Sequence, residues 1–477
     1  MGQEIAEHHF RHRDFERFDA RLAVETDLLC DWISEGVLAR SPPMAGLELE
    51  AWLVQEDGSP APRNAEFLAR LADPAVVHEL ARFNVELNVA PQCLTDTGLR
   101  RMSDELETTW RRCREAGAAL GLELASVGTL PTVAESHLCA GNMSDSERYR
   151  ALNEQVMRQR RGRPMRLAID GAERLETLHT DVMLEAGTTS LQAHLQVTPE
   201  NAVRYYNAAI VASAATVAIA ANSPYLFGRQ LWEETRIPLF EQAVDVGSYE
   251  ASYRGSIPRV SFGTGYAGWS LAECFRENLD LFPVMLPLGF DVDYFRLAHL
   301  RLHNGTIWRW NRPLVGFDTN GKPHLRIEHR VMAAGPSVTD MMANLVFFYG
   351  LVSSLAEDDV PPESVLPFSQ AKGNFYTAAR HGLAGTVTWL DGAERPLQRV
   401  VLDDLLPRAR AGLGALGAAG SFTDRALQIV ESRVVSGRTG SWWQRTFAER
   451  HGRDFPALVR EYIARQAQGI PVHEWPL

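Results

Sequence analysis

Cysteine is scarce and scattered in this chain of 477 residues. Cys30, Cys93, Cys113, Cys139 and Cys274 form no CxxC pair, which argues against a disulfide framework or a thiolate zinc centre and for free thiols in a reducing compartment. Positive charge is also in deficit. A formal net charge of -12 excludes a general nucleic-acid binder, whose affinity rests on neutralising phosphates with Lys and Arg. Long apolar runs are missing too: the most apolar, residues 208–221, falls short of the roughly 20 residues that span a bilayer, and its small side chains suit a tightly packed buried helix. The polar N-terminus has no apolar core for a secretory signal, and Ala6 stands where a myristoylation motif carries Ser or Thr. A cytoplasmic protein without a membrane partner is expected.

Familiar catalytic signatures are absent as well. There is no GxxxxGK[ST], no HExxH and no GxSxG. The glycine-rich stretch 262–268 lacks the lysine and helix of a phosphate loop and reads as an ordinary loop. No solenoid-length repeat, low-complexity linker or coiled-coil seam divides the chain. Residues 1–40 read as a helical lead-in ending at the Ser41-Pro-Pro43 break, and residues 41–477 as a single catalytic domain.

Helical spacing marks residues 15–33, 96–117, 145–161, 199–221, 337–356, 403–416 and 424–436, several starting at Asp or Ser and stopping near Gly. Between them lie four segments that alternate with period two. In residues 46–54, Glu48 and Glu50 oppose Leu47, Leu49, Ala51 and Leu53; in 83–91, Asn84, Glu86 and Asn88 oppose Phe83, Val85, Leu87 and Val89. In 190–197, Gln192, His194 and Gln196 oppose Leu191, Ala193, Leu195 and Val197; in 324–332, Arg326, Glu328 and Arg330 oppose Leu325, Ile327 and Val331. Such strands form a sheet with helices on its apolar face. A merely solvated opposite face would carry Lys, Thr and Ser; one rich in Glu, Gln, His, Asn and Arg describes a cleft for ions of both signs.

Glu48, Glu50, Glu86 and Glu328 crowd four carboxylates onto that face, a cost that a divalent cation removes. Hard oxygen ligands favour Mg²⁺ or Mn²⁺ over zinc. Gln192 adds a neutral oxygen, and His194 a donor for a phosphate or substrate. Arg330, Arg312 and Arg380 supply cations that match phosphate or carboxylate oxygens through paired N–H groups. Acids that hold metal, facing arginines that hold phosphate, fit phosphoryl transfer.

Together these segments resemble the glutamate–cysteine ligase family, in its bacterial carboxylate–amine ligase branch. The resemblance is carried by Gly46-Leu-Glu-Leu-Glu50, Glu86-Leu-Asn-Val-Ala-Pro91, Gln192-Ala-His194 and Ala221-Asn-Ser-Pro224. It continues through residues 308–312 into Arg326-Ile-Glu-His-Arg330, then Ala379-Arg-His-Gly382 and Gly437-Arg-Thr-Gly-Ser-Trp-Trp-Gln444. It implies an α+β, glutamine-synthetase-like fold: an antiparallel sheet bent into a funnel, with helices outside. It also implies that Glu48, Glu50, Glu86, Gln192 and Glu328 ligate two or three Mg²⁺ ions. Arg330 would contact the transferring phosphate, and Arg312 and Asn222 the substrate or nucleotide. The implied reaction uses ATP to activate the γ-carboxylate of glutamate as an acyl phosphate, which an amine such as cysteine attacks. Within that superfamily, a guanidino phosphotransferase and a non-catalytic metabolite-binding protein are the alternatives. The chain departs from the family pattern in reading Val331-Met-Ala-Ala-Gly335 where many members carry an Asp, in His329, which sits between the matched residues on what should be the opposite face, and in its extra length through residues 1–40 and 228–280.

Overall fold

The computed structural model describes residues 9–246 and 257–477, so the first eight residues, including the Met1-Gly2 start, lie outside it. Seven strands build the main sheet: β1 (Met44–Val54), β2 (Val76–His78), β3 (Asn84–Cys93), β4 (Glu123–Ala125), β5 (Ser190–Val197), β6 (Asn311–Phe317) and β7 (Pro323–Ala333). Their order is β6-β7-β5-β1-β3-β2, with β4 beside the end of β1, and every pairing is antiparallel. The four alternating segments of the sequence are thus four adjacent strands, β7-β5-β1-β3. Their register sets Glu48 opposite Gln192, Glu50 opposite Glu86, and His194 opposite Glu328.

The helices that bear on the site and its support are α1 (His12–Ser34), α2 (Asp96–Ala118), α3 (Ala202–Ile219), α4 (Arg236–Ala243), α5 (Val338–Glu357), α6 (Phe368–His381), α7 (Leu406–Ala415) and α8 (Ser421–Ser436). The apolar sheet face is roofed by α2, α3 and α5, with α7 and α8 stacked outside α5. Both α3 and α5 are apolar on all sides, as expected of helices enclosed by other elements. By length and composition each could cross a membrane, but each is 89% buried inside the protein. The run at 208–221 is therefore part of a longer helix than its apolar core suggests, and that helix is core. The hydrophobic core also takes in Phe18, Leu22, Leu29 and Trp32 of α1.

His329 belongs to this core. It points away from Glu328 and Arg330 and meets Thr216 Oγ1 through Nε2 at 2.8 Å and Asn311 Oδ1 through Nδ1 at 2.7 Å. Its ring stacks on Phe348 at 4.1 Å, and burial pushes it down to about 3, so it is neutral. Just beyond it the β7/β5 register slips: Arg330 and Val331 together face Gln192. A bulge of this kind twists the strand and re-aims its side chains, here at Arg330.

Candidate active site

Glu328 is the best-bound carboxylate of the polar face. Arg312, opposite it on β6, donates from Nε to Oε2 at 2.7 Å and from Nη2 to Oε1 at 3.0 Å. Arg330 adds a bond from Nη1 at 3.0 Å. Burial alone would raise the Glu328 carboxyl; the two guanidinium groups outweigh it and hold it well below the usual range. Beside it, His194 Nε2 lies 3.4 Å from Glu48 Oε1 and 3.9 Å from Glu328 Oε1, without the alignment of a hydrogen bond. Burial would raise Glu48 too, but His194 brings it down to about 2. One ligand atom from each of Glu48, His194 and Glu328 falls within 4.8 Å of the others, which is the geometry of a cation site. Both ring nitrogens of His194 are buried without a hydrogen bond, as a ligand's would be before its ion arrives.

A second group of carboxylates sits one pleat along. Glu50 accepts from Ser190 N at 2.7 Å and from Gln192 Nε2 at 3.0 Å, and Glu86 accepts from Asn88 Nδ2 at 2.8 Å. Glu79, from the loop before β3, adjoins Glu86 and Glu50. Here the balance reverses. Burial raises Glu50 despite Arg330, burial and Glu48 push Glu86 up to about 7, and burial with Glu86 and Glu50 raises Glu79 well above its ordinary value. Glu185 is likewise raised to about 7 by burial and by Glu50. These carboxylates cannot all ionise together unless a cation joins them, so the donor set fits a hard divalent ion. A cavity of about 30 Å³ opens among Glu50, Glu79, Asn84, Glu185, Arg236 and Arg330. That is room for a water- or ion-sized occupant. Asn84 is 3% exposed with both amide atoms unpartnered, and Glu185 Oε2 and Arg330 Nε are also buried without partners. Such orphaned groups mark a place built for a polar ligand.

The structure therefore gathers Glu48, Glu50, Glu86, Gln192, His194, Arg312, Glu328 and Arg330 onto one face. It assigns some of them other work than the sequence suggested. The Gln192 oxygen, expected as a metal ligand, accepts from Arg330 Nη1, so Gln192 links Glu50 to Arg330. Arg312, expected at the substrate or nucleotide, spends two donors on Glu328 and acts as its clamp. Asn222, expected in the same role, is fully buried away from the cleft. Its amide donates to Ala334 O and Tyr462 Oη and accepts from Gln444 Nε2 at 2.8 Å, which satisfies its side chain within the protein. Arg380 is exposed, with its guanidinium 5.8 Å from the Trp232 ring, apart from the cluster. Sequence reasoning missed Glu79, Glu185 and Arg236. Glu79 precedes β3 in a loop, Glu185 sits in the 3₁₀ turn Val182–Gly187, and Arg236 starts α4; none shows a periodic pattern. The one available signal was the acid itself in an otherwise apolar turn.

An antiparallel sheet curled around carboxylates and arginines, with helices outside it, is the α+β glutamine-synthetase-like architecture, the class of fold that the resemblance implied. Residues 44–466 match the family model of glutamate–cysteine ligase family 2, and the chain belongs to that family. A protein of Rubrobacter xylanophilus named "Putative glutamate--cysteine ligase 2-1" is 26% identical over 432 residues, covering 88% of this chain and 94% of the relative. The glutamate–cysteine ligase of Francisella tularensis, solved in complex with AMP, superposes with a TM-score of 0.53 at 13% identity, covering 92% of this chain and 96% of that one. A bifunctional glutathione synthetase from Pasteurella multocida gives a TM-score of 0.48 at 13% identity, covering 95% and 55%. At 13% identity the likeness to the Francisella structure is one of fold.

Proposed function

We propose that the protein is an ATP- and Mg²⁺-dependent carboxylate–amine ligase that activates the γ-carboxylate of glutamate and joins it to an amine in the cytoplasm. The observation that carries this reading is the pairing on one face of a carboxylate cluster with a buried, partly unpartnered Arg330. Family membership supports the reaction class, and the AMP found with the Francisella ligase supports an adenine nucleotide as co-substrate. Glu48, His194 and Glu328 would hold one metal ion, and Glu50, Glu79 and Glu86 another. Bound there, Mg²⁺ supplies charge neutralisation to phosphate oxygens and to the developing acyl phosphate.

The chain's own groups do the rest. Arg330 offers its unpartnered Nε–H to a phosphate oxygen, while its bonds to Glu328 and Gln192 fix its plane. Arg312 holds Glu328 ionised and immobile. A glutamate carboxylate oxygen attacks the γ-phosphorus of ATP and ADP leaves; the acceptor nitrogen then forms the C–N bond as the C–O bond to phosphate breaks. The leaving oxygen keeps that electron pair, and phosphate takes up the proton the amine loses. Water is a competitor, and burial of the cluster limits its access.

The test is ADP and phosphate release with glutamate against a panel of amines, with product masses measured. Glu50→Gln and Glu328→Gln each lower turnover by about 100-fold or more, as expected when a group acting on developing charge is removed. Normal turnover in both variants would overturn the metal assignment. ADP release with a stable phosphorylated product and no free phosphate would make the protein a phosphotransferase instead.

A further inference from the structure

Arg326 is a charged group of the polar face to which the mechanism above gives no role. It lies on β7 two residues before Glu328, about 6.6 Å along the strand on the same side, and stands opposite Gln196 on β5. The side chain is half-buried. Among the described residues it makes no ion pair, and its Nε is buried without a partner. A buried donor in that state awaits an acceptor from outside the chain.

Other cations gather at the same end of the sheet. Gly316 of β6 lies opposite His324, and a Cβ on it would stand 2.6 Å from His324 Nε2 and 3.4 Å from Arg326 Nη1. The imidazole and the guanidinium thus lie side by side across the strand, in room that residue 316 leaves by having no side chain. Arg301, on the helix Ala298–Asn304, holds its guanidinium 5.7 Å from the ring of the next residue, Phe317. Arg296 ends the 3₁₀ turn Tyr294–Arg296 just before that helix. Both arginines are exposed at the rim, and neither has an ion pair among the described residues. Burial and then the charges of Arg326 and Arg296 lower Arg301. Burial and Arg326 lower His324 too, although Asp318 Oδ1 lies 2.8 Å from its Nδ1. Three guanidinium groups without counter-charges repel one another, and a bound polyanion removes that cost. In a chain of net charge -12, such a collection is no by-product of composition.

The other end of the cleft has the opposite sign. Glu50, Glu79, Glu86 and Glu185 crowd together beyond Arg330. A nucleoside triphosphate whose γ-phosphate meets Arg330 can run either way. Towards the four acids, its α- and β-phosphates meet like charge. Along β7 they pass the cation site of Glu48, His194 and Glu328 and then reach unpaired arginines. We propose that the nucleotide lies along β7, that Arg326 and Arg301 bind its α- and β-phosphates, and that its nucleoside leaves the cleft at the turn between β6 and β7. The assignment rests on the ligase reading above and adds to it the direction of the co-substrate and two residues that hold it.

The test reads binding without turnover. Calorimetric titration with Mg·ADP is run on the full chain, on Arg326→Met and Arg326→Lys, and on Arg301→Met, which alters an exposed side chain outside the sheet. Arg326→Met weakens Mg·ADP about 20-fold and Arg301→Met about fivefold, as lost charge-assisted hydrogen bonds should, and Arg326→Lys recovers part of the loss. In turnover, both methionine variants raise the ATP KM while the glutamate KM stays within about twofold. Wild-type affinity for Mg·ADP in both methionine variants overturns the proposal. So does a raised glutamate KM with ADP affinity unchanged, which makes Arg326 a contact of the acid substrate. A merely structural role would lower the melting midpoint of Arg326→Met, shift both KM values and leave Arg301→Met binding like wild type; that pattern overturns it as well. The two ideas fail separately. Phosphate release from glutamate and an amine, with ADP affinity intact in both variants, keeps the ligase reading and loses this placement. Weakened ADP binding in the variants, with no glutamate-dependent phosphate release by wild type, keeps the placement and loses the ligase reading.

Discussion

Glu48 and Glu86 lie on neighbouring strands of one cleft, yet one is held near 2 and the other near 7. Burial raises both; His194 beside the first outweighs it, whereas at the second the charge of Glu48 adds to it. In the metal-free protein, Glu86 and Glu185 keep protons to about 7 that the unfolded chain gives up near 4.5. The folded state binds more protons across that window, so their contribution to stability is greatest below 4.5 and is lost as pH rises through 7. His303 and His329, lowered to about 4 and about 3, act with the opposite slope up to their ordinary 6.5. Comparing wild type with Glu86→Gln removes that background. Thermal melts should show the variant gaining on wild type between about pH 5 and about pH 7.5 without metal. Millimolar Mg²⁺ should raise the wild-type midpoint more at the higher pH, and should do so less in the variant. A metal response independent of both would count against these carboxylates as ligands.

At the scale of elements, the alternation of β1, β3, β5 and β7 was legible because a strand's side chains change sides at every residue. The helices were legible for a related reason: residues 337–356 and 96–117 come within a residue of the observed Val338–Glu357 and Asp96–Ala118, with Ser337 and Thr95 as N-caps. Residues 403–416 were read as one helix, whereas a π-helical turn, Val401–Leu405, precedes α7. No local signal announces that turn. Nor does the sequence announce that α5 and α7 touch backbone to backbone: a Cβ on Gly412 would collide with the Gly350 carbonyl, and one on Gly350 with the Ala409 carbonyl. Alanine favours a helix over glycine by about 1 kcal/mol, but overpacking a rigid contact costs about 1–3 kcal/mol. Backbone atoms cannot move aside as side chains can, so the upper end of that cost applies and Gly412→Ala should lower stability by up to about 2 kcal/mol net, read as a lower urea midpoint at unchanged slope.

For the whole molecule, α1 is tied to the rest by its apolar face and by one buried carboxylate. Glu25 accepts from Leu300 N at 2.9 Å and meets His299 Nδ1 at 2.7 Å, and the histidine ring is held edge-on between Phe18 and Phe290. Glu25→Ala would leave two buried groups without partners, at about 1–3 kcal/mol each. Glu25 is no part of the polar cleft, so the variant should melt earlier while its KM for glutamate and ATP stays at the wild-type value below the transition. A change in KM at low temperature would mean that α1 reaches the cleft after all.

Local order in the chain determined the face: period-two spacing placed Glu48, Glu50, Glu86, His194, Glu328 and Arg330 on one side of a sheet, and the motifs along it named the family. That much needs only strand geometry. Tertiary structure decided which of those groups remain free to bind. Gln192 gives its oxygen to Arg330, Arg312 is spent on Glu328, Asn222 is locked into packing, and Glu79 and Glu185 enter from the turns that lead into β3 and β5, outside the alternating segments. Hydrogen bonds and charge balance in a buried cleft depend on distances in space, and those are set by how strands pair and turns fold back, which spacing along one strand does not encode.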